Sequence, residues 1–101
     1  MRIISRSYLK DFGEKYSNSK QALLSWYDEV KKLEWENSAD LKKSFSSASI
    51  ITFKRVVFNI KGNEYRLIVD IEYKLKLIFV VWIGTHKEYD FIDVKKIEFK
   101  K

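Results

Sequence analysis

Apolar and polar positions alternate from residue 55 to residue 69, Arg55-Val56-Val57-Phe58-Asn59-Ile60-Lys61-Gly62-Asn63-Glu64-Tyr65-Arg66-Leu67-Ile68-Val69. The pattern reads as a tight β-hairpin. Gly62-Asn63 serves as a two-residue turn, because both residue types tolerate positive φ. That turn sets Lys61 against Glu64, Ile60 against Tyr65, Asn59 against Arg66, Phe58 against Leu67 and Val57 against Ile68. Val56, Phe58, Ile60, Tyr65, Leu67 and Val69 then form a core face. Asn59, Lys61, Glu64 and Arg66 share the opposite face near the turn. A one-residue slip would expose the whole apolar row, so the register is well determined. Facing Cβ atoms lie about 5 Å apart, close enough for Asn59 and Arg66 to touch one ligand group.

The pattern elsewhere predicts the rest of the fold. Ile3-Ile4 opens a short strand. Ser7 is placed to cap a first helix carrying Tyr8, Leu9, Phe12 and Tyr16 at spacings of 3–4 residues. Ser17-Asn18-Ser19 breaks the chain, with Ser19 as the next cap. The second helix sets Ala22, Leu23, Trp26, Tyr27, Val30 and Leu33 on one face and Lys20, Asp28, Lys31 and Lys32 on the other. Ser38 is placed to cap a short turn, Ala39 to Lys43, which Phe45 anchors. Three strands follow over about 52–61, 64–73 and 75–83. The third reads Leu75, Leu77, Phe79, Val81 and Ile83 on one face and Ile78, Val80 and Trp82 on the other, as a central strand buried on both faces would. Thr85 can cap a final helical turn through Tyr89 and Asp90. Ile92, Val94, Ile97 and Phe99 alternate less cleanly before Lys100-Lys101. The expected class is α+β: an N-terminal strand and two helices packed on one face of a small, mainly antiparallel sheet, the other face free near the hairpin tip.

Composition narrows the chemistry. A chain of 101 residues with 46% apolar residues suits one compact domain over residues 1–101. It has no cysteine, which excludes disulfides and thiolate metal sites and fits a reducing cytoplasm. One histidine cannot build a typical transition-metal cage, and the three glycines form no nucleotide loop, so neither metal nor cofactor is expected. The first residues are too few and too charged for a signal peptide, and the longest apolar run, Leu77 to Ile83, is a strand and not a membrane span. The net charge of +6 suits a polyanionic or acidic partner.

Four segments resemble the HigB toxins of the RelE/ParE superfamily of bacterial toxin–antitoxin systems. They are Met1-Arg2-Ile3-Ile4-Ser5, the block from Ala22-Leu23 to Trp26-Tyr27-Asp28-Glu29-Val30-Lys31-Lys32, the hairpin, and the run from Phe79 to Ile83-Gly84-Thr85-His86-Lys87-Glu88-Tyr89-Asp90-Phe91-Ile92-Asp93. The resemblance covers almost the whole chain. It implies a small mRNA endoribonuclease, often acting on ribosome-bound messages, held in check by a HigA-type helix-turn-helix antitoxin.

Metal-free cleavage of RNA needs the 2′-OH activated, the phosphorane charge stabilised and the 5′-oxygen protonated. Arg66 is the first choice for the phosphate, since its planar fork matches two oxygens, with Asn59 beside it to orient the substrate. Lys61 and Asn63 stand at the tip, and Lys54 and Arg55 at the far end of the strand are steering cations for RNA. His86, the one histidine, carries the side-chain type best suited to proton transfer near neutral pH. Tyr89, three residues on, can stack on a base or donate a hydrogen bond. Tyr65, Tyr73 and Trp82 read as packing residues. One departure stands out: many RelE-type ribonucleases bring another arginine from the last central strand, whereas Leu77 to Ile83 holds no basic residue and Asp70 and Glu72 add negative charge. Two other readings compete, a non-enzymatic ParE-like inhibitor of a protein target such as DNA gyrase, and a plain RNA- or protein-binding module.

Overall fold

A computed structural model describes residues 1–98. The elements run β1 (Arg2–Ile4), α1 (Arg6–Lys15), a 3-10 turn (Ser17–Ser19), α2 (Lys20–Val30), α3 (Ser38–Ser44), β2 (Ser49–Ile50), β3 (Arg55–Ile60), β4 (Tyr65–Glu72), β5 (Leu77–Thr85) and α4 (His86–Tyr89). This is the expected α+β class. The sheet order is β1-β5-β4-β3-β2, antiparallel throughout except for β1, which lies parallel to β5. The middle strand is therefore β4, and β5 lies next to the edge.

Helices α1, α2 and α3 cover one face of the sheet, as their apolar residues require. Leu9 and Phe12 of α1 and Leu23, Trp26 and Val30 of α2 meet the inward row Val56, Phe58, Ile60, Tyr65, Leu67 and Val69. Phe58 is the centre of this core. Trp26, Phe45 and Trp35 surround its ring at 5.4, 5.1 and 6.3 Å between centroids. Burying a side chain of this size contributes about 2–3 kcal/mol.

Several local details depart from the pattern. Ser5, not Ser7, precedes α1; it sits at φ 70° and makes no side-chain cap bond. Ser19 does precede α2, but its hydroxyl donates to the Tyr16 carbonyl at 2.7 Å instead of capping. The cap of α3 is Asn37, whose side chain accepts from the Asp40 N–H at 3.0 Å, one residue before the expected Ser38. Leu75 falls in the β4–β5 turn and is exposed.

The largest departure lies in β5. Trp82 pairs with Ile68 while Val80 pairs with Val69, so Val81 is an extra residue in the strand, a β-bulge. Alternation reverses there. Ile78, Val80 and Ile83 enter the main core, whereas Val81 and Trp82 belong to the other face. The expected row of Leu77, Phe79, Val81 and Ile83 is thus broken, and Phe79 is exposed rather than buried.

That other face is not free. Val57, Ile68 and Val81 form a second small core, packed by Ile51, Trp82, Tyr89, Ile92, Val94 and Ile97. The segment after α4 is responsible, folding back over the middle of the sheet. The hairpin tip beyond it keeps Asn59 and Arg66 half-exposed. Phe99, Lys100 and Lys101 lie outside the described residues.

Candidate active site

The hairpin has the expected register, with Ile60 against Tyr65, Asn59 against Arg66 and Phe58 against Leu67. Its turn differs in one respect. The positive φ angles fall on Lys61 (53°) and Gly62 (65°), not on Gly62 and Asn63. The Glu64 N–H donates to the Lys61 carbonyl at 3.2 Å and closes the loop. Register survives this shift because the apolar face fixes it.

Arg66 sits in a lateral row of three strands, between Asn59 on β3 and Gly84 on β5. Paired residues share a face, so all three look away from the helices. The Arg66 guanidinium donates to the Asn63 carbonyl at 3.0 Å and lies 5.8 Å from the centroid of the Tyr89 ring. That distance is within cation–π range. Among the described residues no carboxylate pairs with Arg66, so its charge is available to an incoming anion. Asn63 thus acts through its backbone, holding the arginine, while its side chain is exposed at the tip.

Helix α4 begins at this same corner. The His86 N–H donates to the Glu64 carbonyl at 2.9 Å and ties the helix to the hairpin tip. Thr85 caps it as expected, accepting from the Glu88 N–H at 3.2 Å while Glu88 accepts from the Thr85 N–H at 2.9 Å. This reciprocal capping box fixes the direction of the helix. Tyr89 then points back toward Arg66. The exposed His86 imidazole pairs with Asp90 instead, Nδ1 to Oδ2 at 3.4 Å. No hydrogen bond joins His86 to Arg66, Asn59 or Tyr89. The structure therefore brings Asn59, Arg66 and Tyr89 together and sets His86 at the rim.

Two residues the sequence reading left aside belong to this corner. Trp82 is half-buried, 6.4 Å from Tyr89 between ring centroids. Its indole lies over Gly84 so closely that a Cβ on Gly84 would fall 2.4 Å from Cζ2 and Cη2. A side chain at 84 would displace the ring. The glycine in an otherwise bulky strand was the available signal, since such a residue marks a close approach. Asp90 is the other, legible only once α4 fixes the four-residue spacing from His86.

The remaining expected RNA contacts divide. Lys61 is exposed at the tip, 3.8 Å from Glu64, and Lys54 is exposed at the far end of β3. Arg55 is not a steering cation. It is 6% exposed. Its Nε and Nη2 donate to the two oxygens of Asp70, both at 2.8 Å, and Nη1 donates to the carbonyls of Val94, Lys95 and Ile97. The hydrogen bond to Asp70 holds the guanidinium above its usual pKa, against burial, which lowers it. Strand alternation put Arg55 on the outer face, and the returning segment then covered it. The same pair cancels the negative charge of Asp70 at the far end of the hairpin. Among the described residues no three His, Cys, Asp or Glu converge. Among the described residues no helix is long and apolar enough to cross a membrane.

The family profile of HigB_toxin, the RelE-like toxic component of a toxin–antitoxin system, matches residues 19–92. The mRNA interferase toxin HigB of Escherichia coli (strain K12) is 32% identical over 93 residues, which is 90% of this chain and 89% of that protein. The mRNA interferase HigB of Shigella flexneri matches to the same extent. That of Escherichia coli O6:H1 is 29% identical over 92 residues, 89% of each chain.

Proposed function

This chain belongs to the HigB family of RelE-like toxins, the toxic component of a toxin–antitoxin system, and from that membership we propose that it is an endoribonuclease that cleaves mRNA at the corner formed by Asn59, Arg66 and Tyr89. The observation that carries the reading is the Arg66 guanidinium, unpaired by any described carboxylate, held between a carboxamide one strand away and a tyrosine ring. A bidentate donor in that position suits a phosphodiester.

The reaction needs only the substrate's own nucleophile. The 2′-oxygen attacks phosphorus, the 5′-oxygen leaves, and a 2′,3′-cyclic phosphate results. The 2′-OH loses a proton and the 5′-oxygen gains one. Arg66 supports the charge that gathers on the non-bridging oxygens, and Asn59 orients the diester. The ring of Tyr89 holds the guanidinium from behind and offers a surface to a base. His86 is the proton carrier, its imidazole oriented by Asp90 in the manner of a base and its carboxylate. Lys61 and Asn63 meet the strand at the tip, and Lys54 attracts it from farther off. Arg55, fully engaged within the protein, takes no part in binding.

The partners follow from the same reading. The substrate is a message bound to the ribosome, the neutralising partner is a HigA-type helix-turn-helix antitoxin, and the compartment is the cytoplasm. The absence of cysteine and the net charge of +6 agree with this setting.

The test is expression under tight control with message 5′ ends mapped. The intact chain should produce new 5′ ends, and Arg66→Ala should reduce them about 10²–10³-fold. Arg66→Lys should recover little, because a point charge cannot grip two oxygens. His86→Ala should also suppress cleavage, while Arg55→Lys should not act through binding. Unbroken messages with stalled DNA replication would overturn the proposal in favour of a gyrase-directed toxin.

A further inference from the structure

Two phenylalanines stand almost wholly in water. Phe53 is 85% exposed and Phe91 is 90% exposed. A single exposed ring is ordinary in a soluble protein. The setting of Phe53 is not. Its ring rises from a loop held by four hydrogen bonds: Ile51 and Thr52 N–H groups donate to the Arg55 carbonyl at 2.9 and 3.2 Å, and the Thr52 hydroxyl accepts from the N–H groups of Lys54 and Arg55 at 3.4 and 3.0 Å. The loop presents the ring rather than letting it fold back.

Beside it lies a cleft lined by Thr52, Phe53, Lys54, Arg55, Lys95, Lys96 and Glu98. Lys95 and Lys96 are brought there by the three carbonyls that Arg55 grips. All three lysines are exposed, and no ion pair engages them among the described residues. A ring standing among unpaired cations is an arrangement by which proteins hold single strands: a base stacks on the ring and phosphates meet the cations.

This cleft is on the same side of the sheet as Arg66. The segment that carries Phe91, Lys95 and Lys96 leaves α4 next to Tyr89 and crosses the outer face to reach Phe53. From Asn59 to Arg55 the distance along β3 is about 13 Å, farther than one nucleotide reaches. We infer that Lys95, Lys96, Lys54 and Phe53 form a second binding surface for single-stranded RNA, holding the strand that enters or leaves the Arg66 corner. The inference rests on the ribonuclease reading and assigns residues that the cleavage step does not use.

The strand could belong to the message or to ribosomal RNA, and both present the same chemistry. The probe is a fluorescein-labelled RNA, 2′-O-methylated throughout so that it binds without being cut, in lengths of about four and about twelve nucleotides. Fluorescence anisotropy should show the longer RNA binding the intact protein more tightly. Phe53→Ala should weaken the longer RNA at least about fivefold and leave the shorter unchanged. Lys95→Ala with Lys96→Ala should weaken it too, and should lower the slope of log affinity against log salt by about 1.4. Thermal unfolding of the variants should match that of the intact protein, since all three side chains are exposed. Loss of binding to message-free ribosomes in Phe53→Ala would identify the strand as ribosomal, and unchanged ribosome binding would identify it as the message.

Equal affinity for both lengths, or a Phe53→Ala protein that binds as the intact one does, would overturn the inference. Cleavage at Arg66 would stand in that event, because it is read independently from message 5′ ends. Conversely, an Arg66→Ala protein that still cuts would overturn the cleavage site while leaving the length dependence to be judged on its own.

Discussion

Replacing Arg55 by methionine should unfold this protein at a much lower temperature, and the structure gives the scale. Methionine fills much of the same space but carries no donor. The carboxylate of Asp70, with its side chain only 20% exposed, would lose both charge-assisted bonds. Removing one partner of a buried pair costs about 3–5 kcal/mol. Asp70 retains some access to water, which sets the expectation near 3 kcal/mol. The carbonyls of Val94, Lys95 and Ile97 lose their donor but can meet water as the segment loosens, so they add little. For a domain of this length each kcal/mol shifts the midpoint about 4–8 °C, giving a fall of about 12–24 °C. Circular dichroism melts at neutral pH measure it directly. The double variant Arg55→Met with Asp70→Leu strands no charge, and should return to within about 1 kcal/mol of the intact protein. A single variant that melts within about 4 °C of the intact protein would refute this account. So would a double variant no more stable than the single.

Two further outcomes follow from the same coordinates. The Tyr73 hydroxyl is buried with no hydrogen-bond partner among the described residues, and burial raises its pKa above the usual 10.0. A raised folded-state pKa lends stability that is intact below the unfolded value and is lost as pH climbs through the folded one. Tyr73→Phe should therefore be neutral or stabilising by about 1 kcal/mol at neutral pH. It should also lose less stability than the intact protein above pH 10; urea titrations at neutral and alkaline pH that show equal alkaline losses would contradict this. Gly84→Ala should push the Trp82 indole off the backbone, altering the near-ultraviolet circular dichroism at a cost of about 1–3 kcal/mol. An unchanged aromatic spectrum would mean that the indole does not rest there.

What the sequence revealed depended on the range of the interaction that decides each feature. The hairpin register was legible because a slip of one residue would expose six apolar side chains. The Thr85 cap was legible because its partner, Glu88, is three residues away. The fate of Arg55 was not. The register that sets Val57 against Ile68 also sets Arg55 against Asp70, but the carbonyls that bury it lie about 40 residues on, in a segment whose return over the sheet nothing local marks. The bulge at Val81 was hidden for a related reason, since the run Ile78-Phe79-Val80-Val81-Trp82-Ile83 is apolar on both phases. Alternation carries no information where every residue is hydrophobic. At the site, Asn59 and Arg66 were legible as neighbours from strand pairing, whereas helix spacing set Tyr89 beside His86 and not against Arg66, where it lies. The separation of His86 toward Asp90 needed the direction of α4, which the capping box sets.

The parallel pairing of β1 with β5 joins Arg2 to Leu77 and Ile4 to Phe79. Such distant partners cannot meet during early synthesis. A ribosome making this chain would hold an open sheet until the residues near 80 emerge, and Gly84 and Tyr89 must follow before Arg66 has its neighbours. Ordering contacts so far apart in sequence is slow. A nascent chain that stops short of Tyr89 thus lacks the assembled corner.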